Sequence, residues 1–170
     1  MPLDAAGRAV DAFETLYRSS RDDVYSYVAT LLRDRAAAED VTATAFERAY
    51  RKRRSFSAGR GSPRAWLFGI ARNAALDELR RRSRQAELVA DPGSPAEAVV
   101  EDVELSLRRT AVRSGLAGLK PRERELVALK FHGGLTNAEI ARVLGTTETN
   151  AGTQLHRAVT KLREACYEAA

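Results

Sequence analysis

Residues 136–163 read TNAEIARVLGTTETNAGTQLHRAVTKLR, and their spacing predicts two short helices joined at a glycine. Thr136 and Glu139 have the spacing of a capping box, in which each side chain accepts a hydrogen bond from the other residue's backbone amide. Gly145 supplies the left-handed backbone that ends the first helix. Thr147 is the predicted cap of the second helix. The stretch therefore predicts a helix-turn-helix.

Apolar residues of this stretch recur at helical spacing and predict the buried side of both helices. The opposite side of the second helix carries short polar and basic side chains, which suit the major groove because base edges offer hydrogen-bond donors and acceptors. These side chains belong to Thr149, Thr153, His156, Arg157, Thr160 and Lys161. A helical hairpin packed inside an all-helical domain is the alternative that the stretch leaves open.

The composition favours an anionic partner and offers little basis for enzyme chemistry. The chain of 170 residues carries 28 Lys and Arg against 23 Asp and Glu, a net charge of +5, and suits one domain or two small ones. Cys166 is the only cysteine, which excludes an internal disulfide and a cysteine-clustered zinc site. His132 and His156 have no metal-ligand or triad partner at a readable spacing. We therefore expect no catalytic residue, metal or cofactor.

The beginning of the sequence shows no targeting signal. MPLDAAGRAVDAFE contains early acids and no apolar run, and no later segment is apolar enough to span a bilayer. The sequence thus predicts a cytoplasmic protein without membrane insertion.

Helical periodicity runs through the chain, and no strand-like alternation or internal repeat occurs. It predicts helices over residues 10–17 and 24–32, separated by a polar turn at residues 19–23, and a third over about residues 36–51. Charges on the outer surface of the third helix are typical of a solvated face. The expected fold class is all-α.

Residues 51–84 hold the chain's densest positive charge, with eleven basic residues against Asp77 and Glu78. Such a density would neutralise several phosphates and make binding strongly salt-dependent. The basic residues are Arg51, Lys52, Arg53, Arg54, Arg60, Arg64, Arg72, Arg80, Arg81, Arg82 and Arg84. A solvated helix end is the alternative for the last four.

Within this segment, a glycine-containing loop at residues 55–62 precedes a long helix that Pro63 opens and that runs to about residue 84. One stripe of the helix contains Trp66, Asn73, Asp77, Arg80 and Arg84. Phe56, Trp66 and Asn73 suit unstacked bases, because a ring can stack on a base and an amide can pair with its edge. Burial of Trp66 in the core is the alternative for that residue.

After residue 84 the sequence changes from basic to acidic. Residues 85–107 contain six acids and no Lys or Arg, and DPGSP at residues 91–95 is typical of a turn. We expect a first domain over residues 1–86, an acidic linker over 87–104 and a second domain over 105–170.

Two helices are predicted in this part of the chain before the helix-turn-helix. The first resumes near residue 96 and continues to Leu116, and the second starts at Pro121 and stops at Gly133 and Gly134. The helix-turn-helix should rest on both.

Three segments together resemble the extracytoplasmic-function sigma factors, small two-domain transcription initiation factors of bacteria. They are AAAEDVTATAFERAYR at residues 36–51, SPRAWLFGIARNAALDELRRRSR at 62–84, and LKPRERELVALKFHGGLTNAEIARVLGTTETNAGTQLHRAVTKLRE at 119–164. The middle segment is the most specific, since its Ala-Trp-Leu, Ile-Ala-Arg-Asn, Ala-Leu-Asp and Leu-Arg-Arg-Arg motifs follow in order. The resemblance covers nearly the whole chain.

The resemblance implies core RNA polymerase and promoter DNA as partners. The helix at residues 36–51 corresponds to the family's segment that docks on the clamp helices of the largest polymerase subunit, and the flap is a further implied contact. The implied docking residues are Asp40, Thr44, Phe46 and Arg48. An anti-sigma factor is a further implied partner, and it would cover the docking helix or wedge between the two domains.

The resemblance also implies two promoter contacts. The loop at residues 55–62 and the helix behind it would open and hold the minus-ten element, through Phe56, Arg60, Trp66, Asn73, Asp77, Arg80, Arg81 and Arg84. The last helix would read the minus-35 element, through Thr149, Thr153, His156, Arg157 and Lys161. The acidic linker resembles the connector that threads through the polymerase toward its active site and RNA exit path.

The chain departs from the family pattern at four positions. Ala43 and Thr44 stand where a Gln and an acid are usual, so the polymerase contact is expected to be redistributed to Asp40 and Arg48. Gly152 stands where Lys or Arg is common, and Gln154 where Arg is common. Contacts to the upstream element should therefore be fewer or differently specific, and Gly152 should weaken its helix by up to about 1 kcal/mol.

The expected function is that of a non-enzymatic sigma factor, which binds core RNA polymerase, directs it to specific promoters and helps melt the minus-ten element. The alternative is a free-standing helix-turn-helix regulator, which would dimerise on a two-fold site and leave the arginine-rich helix without a role. A nuclease is disfavoured because paired carboxylates in a metal-binding neighbourhood are missing from the sequence pattern.

Overall fold

The computed structural model describes residues 3–88 and 103–168, and every regular element among them is helical. The helices are α1 (Leu3–Leu32), α2 (Arg35–Lys52), α3 (Pro63–Leu88), α4 (Val103–Gly118), α5 (Pro121–Phe131), α6 (Asn137–Leu144) and α7 (Glu148–Glu168). Short 3-10 turns at Arg53–Ser55 and Ala58–Arg60 lie in the loop between α2 and α3. The predicted all-α class is confirmed.

The first helix is continuous, so the predicted break at residues 19–23 is wrong. This stretch contains neither glycine nor proline, and its polar side chains are compatible with a helix when tertiary packing supports it. Ser20 is buried, with 1% of its surface exposed, while its neighbours Ser19 and Arg21 face solvent. Helix α1 ends at Leu32, and the next residue, Arg33, turns the chain with a φ of 55° before Asp34 caps α2.

Helices α1, α2 and α3 pack against one another as the first unit. Alanines line the buried side of α2, and their small side chains allow the neighbouring helices to approach closely. Tyr27 of α1 and Phe68 of α3, both fully buried, lie 5.4 Å apart between ring centroids. The middle of α1 is thereby fixed against α3.

Helix α7 contacts α4, α5 and α6 and organises the second unit. Its core includes Leu126, Leu129, Leu135 and Ile140, all of which are fully buried. Helix α5 begins at Pro121 as predicted. The helix ends at Phe131, just before the predicted glycine stop.

The two units also touch each other, since α1 contacts α5 and α3 contacts α6. The described ends of the predicted linker are helical, because α3 continues to Leu88 and α4 has begun by Val103. The predicted turn at residues 91–95 and the predicted helix start near residue 96 lie outside the described residues. The boundaries 1–86, 87–104 and 105–170 remain a prediction.

Candidate nucleic-acid interface

The predicted minus-ten residues lie on the exposed side of α3 and in the loop before it. Asn73, Asp77, Arg80 and Arg84 are exposed, as the predicted stripe requires. Asp77 accepts hydrogen bonds from Arg48 of α2 at 2.9 Å and from Arg80 at 3.4 Å. The stripe thus combines an exposed amide with an acid that orients two arginines.

Phe56 and Trp66 meet where the loop joins α3. Their rings lie 5.5 Å apart between centroids in an edge-to-face arrangement, and both side chains are half-buried. Trp66 is therefore neither a fully buried core indole nor a free surface ring. The pair leaves part of an aromatic surface available for stacking on an unpaired base.

Several arginines of the basic segment are already held by acids of the same unit. Arg81 donates two hydrogen bonds to Glu78 at 2.8 Å, and this is the main reason that the pKa of Glu78 falls to about 2. Arg82 bridges Glu78 and Asp34, at 2.8 Å to each. Among the described residues, four exposed cations of the basic segment bind no carboxylate, namely Lys52, Arg54, Arg60 and Arg84. Such cations are the readiest to contact phosphate, and Arg54 and Arg60 are the two that lie in the loop before α3.

The helix-turn-helix forms as the sequence predicts. The Thr136 hydroxyl accepts from the Glu139 amide at 3.2 Å, and Glu139 accepts from the Thr136 amide at 2.9 Å. Gly145 ends α6 with a left-handed φ of 66°. The Thr147 hydroxyl then accepts from the amide of Asn150 at 3.2 Å, which caps α7.

Helix α7 presents the predicted base-reading residues to solvent. Thr149, Thr153, His156 and Arg157 are exposed, and no ion pair restrains Arg157 among the described residues. Lys161 differs, because it forms an ion pair with Glu123 of α5 and is the main cause of the lowered pKa of that carboxyl. The pair occupies one of the three N–H donors of Lys161 and restrains its side chain.

Gly152 has a packing role that the sequence did not show. A Cβ atom added there would lie 3.2 Å from the side-chain nitrogen of Asn137, at the start of α6. The glycine therefore lets the two helices of the helix-turn-helix approach closely. The departure from the family's usual Lys or Arg coincides with this contact.

The predicted docking residues of α2 do not share one exposed surface. Asp40 is exposed, and its carbonyl accepts from the Thr44 hydroxyl at 3.0 Å. Arg48 points to α3, where it binds Asp77. Phe46 is only 6% exposed and packs edge-to-face against Tyr17. Its side chain thus packs α2 against α1 and is not available at the surface.

A groove of about 610 Å³ lies beside these residues, between α1 and α2. Its lining consists of Tyr17, Arg21, Asp22, Tyr25, Glu39, Thr42, Ala43 and Phe46. The buried hydroxyl of Thr42 has no hydrogen-bond partner among the described residues. Periodicity alone could not place this groove, because its walls come from two helices.

Arg64 and Arg72, which were counted in the basic segment, face the second unit instead of solvent. Arg72 donates to buried Glu125 of α5 at 2.6 Å, and Arg64 donates to the carbonyl of His132 at 2.9 Å. The available signal was an acid, Glu125, followed at once by the apolar run at residues 126–129.

Neither a membrane span nor a metal cluster was found in the described part of the chain. None of its helices combines the length and apolar character needed to cross a bilayer. Within residues 3–88 and 103–168, no group of three or more His, Cys, Asp or Glu could hold a metal ion.

Comparison with protein families matches the two units separately. Residues 16–85 match Sigma-70 region 2, and residues 109–162 match Sigma-70 region 4. These segments contain α2, α3 as far as residue 85, and the helix-turn-helix as far as residue 162. The match therefore covers both candidate DNA-binding surfaces.

Curated relatives that align with most of the chain are also described as sigma factors. The chain is 35% identical over 165 residues to the ECF RNA polymerase sigma factor BldN of Streptomyces coelicolor, covering 92% of this chain and 61% of BldN. It is 33% identical over 146 residues to the ECF sigma factor SigK of Mycobacterium sp. strain KMS, covering 82% of this chain and 75% of SigK. It is 31% identical over 162 residues to SigL of Mycobacterium tuberculosis, covering 94% of this chain and 91% of SigL.

Two solved structures have a similar fold. The sigma factor RpoE in complex with the anti-sigma factor NepR from Bartonella quintana has a TM-score of 0.75 at 22% identity, covering 91% of this chain and 96% of that one. CnrH in complex with the cytosolic domain of CnrY has a TM-score of 0.68 at 24% identity, covering 98% and 96%.

The chain therefore belongs to the extracytoplasmic-function sigma factors, which are RNA polymerase subunits that direct promoter-specific transcription initiation. The family named from sequence resemblance is confirmed. Core RNA polymerase and promoter DNA are the partners of this family.

Proposed function

We propose that this sigma factor holds the opened minus-ten element on α3 and reads the minus-35 element with α7. The observation that carries the proposal is the exposed stripe of α3, where Asn73 follows the half-buried pair of Phe56 and Trp66 on the same helix side. An aromatic surface beside an amide suits a flipped or unstacked base. The unpaired Arg54 and Arg60 would add phosphate contacts.

Helix α7 would supply sequence discrimination at the upstream element. Its exposed Thr153, His156 and Arg157 can hydrogen-bond base edges, whereas the α3 arginines mainly offer charge. Asp40 and Thr44 on α2 would contact the polymerase clamp helices, with Phe46 as their buried support. Arg48 would connect docking to DNA binding, because it binds Asp77 on the minus-ten stripe.

The protein would act without catalysis of its own, in the cytoplasm, while the polymerase performs RNA synthesis. An anti-sigma factor would be a further partner, as RpoE and CnrH are each solved in a complex, with NepR and with the cytosolic domain of CnrY. The groove between α1 and α2 lies beside the docking residues and would be covered if such a partner competed with the polymerase there.

The test is the Asn73→Ala substitution in a reconstituted holoenzyme. The free energy of open-complex formation on a matching promoter should become less favourable by about 1 to 3 kcal/mol, the usual value of hydrogen bonds to one base edge, while affinity for core polymerase stays unchanged. Gln85→Ala is the matched control, because it removes an exposed amide from the same helix outside the stripe. Equal loss of melting and polymerase binding would count against the assignment.

A free-standing regulator is the competing function, and a mass measurement with and without core polymerase separates the two. A one-to-one complex with polymerase is expected. A stable dimer that ignores polymerase would contradict the proposal.

A further inference from the structure

A chain of side-chain hydrogen bonds runs along the start of α7. The Asn150 nitrogen Nδ2 donates to the Thr146 hydroxyl at 2.7 Å, and the Gln154 nitrogen Nε2 donates to Asn150 Oδ1 at 3.1 Å. The three residues are spaced four positions apart, which brings side chains together on one side of a helix. This row, which we call the amide ladder, holds the nitrogen end of the Gln154 side chain in place.

The cap of α7 leaves the side chain of Asn150 free for the amide ladder. Only the backbone amide of Asn150 donates to the Thr147 hydroxyl, which caps the helix. The side chain of Asn150 donates to Thr146 through its nitrogen and accepts from Gln154 through its oxygen. A substitution of this side chain can therefore remove the ladder and keep the cap.

The amide ladder lies on the side of α7 that carries predicted reading residues. Gln154 precedes Arg157 by three positions and Lys161 by seven, so the three side chains follow one another along one side of the helix. Asn150 is exposed and Gln154 is half-buried, and both lie in the first two turns of the helix that starts at Glu148. In helix-turn-helix proteins the N-terminal residues of the recognition helix contact base edges. The position of Gln154 therefore suits a base contact.

Gln154 keeps the hydrogen-bonding groups that a base contact needs. A glutamine amide has one acceptor oxygen and two N–H donors. The amide ladder uses one N–H, and the side chain makes no other hydrogen bond within the part of the chain that the structure describes. The oxygen and the second N–H therefore remain free on a planar group whose nitrogen is anchored.

A free oxygen together with a free N–H is complementary to adenine in the major groove. Adenine presents an amino donor at N6 and an acceptor at N7, and a glutamine amide can pair with both. Guanine presents two acceptors, O6 and N7, so the glutamine oxygen would face another oxygen there. The free groups of Gln154 therefore predict that adenine is preferred over guanine.

The amide ladder also lowers the entropy cost of such a contact. A glutamine side chain loses considerable rotamer freedom when it is fixed, and a side chain that is already held in its bound conformation loses less on binding. Asn150 restrains Gln154 before DNA arrives. Asn150 thus acts on the base through Gln154 and is a positioning residue.

We propose that Gln154, oriented by Asn150, reads one adenine of the minus-35 element. The glutamine oxygen accepts from adenine N6, and its free N–H donates to adenine N7. This inference rests on the proposed function of α7 as the reader of that element. It adds a base-reading residue to the predicted set and names the base that it selects.

The first test selects promoter DNA with a randomised minus-35 element, using the full chain bound to core polymerase. The wild type should enrich adenine over guanine by about tenfold at one position, and Gln154→Ala should abolish that preference there while other positions keep theirs. Arg163→Ala is the matched control, because Arg163 is exposed on α7 away from the amide ladder. Identical base preferences for wild type and Gln154→Ala, or a change where the wild type prefers another base, would overturn the assignment.

Gln154→Arg tests the chemistry of the pairing. Arginine offers only donors, which match the two acceptors of guanine, so the variant should select guanine in place of adenine at the same position. Alanine and arginine both favour helix, so circular dichroism should show wild-type helix content for both Gln154 variants. Continued selection of adenine by Gln154→Arg would contradict the proposed pairing.

Asn150→Ala tests the positioning role. It should lower the adenine preference at the Gln154 position by about twofold, the size expected of one amide pair four positions apart on a helix. Asn150→Asp keeps an acceptor oxygen for Gln154 and should restore the preference. A ladder that only stabilised the helix would lower the melting temperature of Asn150→Ala and leave base preference unchanged, and that result would exclude positioning by Asn150.

Failure of this inference can be distinguished from failure of the proposed function. If α7 does not read the minus-35 element, neither Arg157→Ala nor Gln154→Ala will change base preference at any position of that element. If Arg157→Ala changes a preference and Gln154→Ala does not, α7 remains the reader and only the adenine assignment is wrong.

Discussion

The candidate DNA-binding surfaces on α3 and α7 differ in their charged residues. Around α3, acids hold several arginines in place: Glu78 binds Arg81 and Arg82, and Asp77 binds Arg48. On α7 the exposed reading side is mostly small and polar, with His156 and Arg157 as its larger groups, and only Lys161 is held by an acid, Glu123 of α5. Since phosphate contacts set affinity and base contacts set sequence choice, we infer that the first surface mainly binds and the second mainly selects.

The strongest test of this contrast is Arg157→Ala on α7. If Arg157 contacts a base bidentately, discrimination between a matching and a mismatched upstream element should fall by about 1 to 3 kcal/mol. Holoenzyme affinity for both DNAs, measured by competition, gives the value. Arg163→Ala is the control, because Arg163 is exposed on the same helix outside the predicted reading set. Equal weakening on both DNAs would make Arg157 a phosphate contact and break the contrast.

The complementary test removes Arg54 and Arg60 together. Each phosphate contact contributes about 0.7 to 0.9 to the slope of log affinity against log salt, so the slope should drop by roughly 1.4 to 1.8. At fixed salt we expect about a tenfold loss, close to 1.4 kcal/mol, that is similar for all promoters. The double variant Arg35→Ala with Arg113→Ala removes the same charge elsewhere. A loss confined to one promoter sequence would contradict the assignment.

Lowering the pH tests how much the ion pairs between Glu78 and the arginines of α3 stabilise the fold. The folded-state pKa of Glu78 is about 2, below its ordinary value of 4.5, so its contribution to stability is present above pH 4.5 and is lost as the pH falls toward 2. Because Arg81 is 57% exposed, water screens the pair, and we expect on the order of 1 kcal/mol.

Urea unfolding of Glu78→Gln between pH 7 and pH 2 measures that contribution. The variant should be less stable at pH 7 and lose less stability on acidification than the wild type. Glu39→Gln is the control, since Glu39 is exposed and forms no ion pair among the described residues. Parallel pH profiles for Glu78→Gln and wild type would show that the pair contributes nothing.

The smallest effect is expected at Gly152 of α7. Alanine favours helix by up to about 1 kcal/mol over glycine, but its Cβ would crowd the side chain of Asn137 at 3.2 Å, so a gain of about 0.5 kcal/mol is expected from Gly152→Ala. Gly69→Ala in α3 meets no atom within 4 Å and should yield the full gain. Thermal unfolding of both variants checks this. A larger gain at Gly152 would show that the contact is unimportant.

Much of the fold could be predicted because its signals are local. The capping box of Thr136 and Glu139, the left-handed Gly145 and the cap at Thr147 each depend on a few neighbouring residues, and all are present. The break inside α1 was mispredicted for the same reason. Polar residues at 19–23 resemble a turn locally, yet burial of Ser20 against the rest of the unit keeps the helix continuous.

The sequence by itself determined the helix-turn-helix, the basic segment and the family, since each is written in the order and spacing of residues along one element. Only the tertiary structure decided which arginines are available. Arg54 and Arg60 remain without an acid among the described residues, whereas Arg72 is held by Glu125, 53 positions away in sequence. An ion pair depends on distance in space, and that distance exists only after the helices have packed.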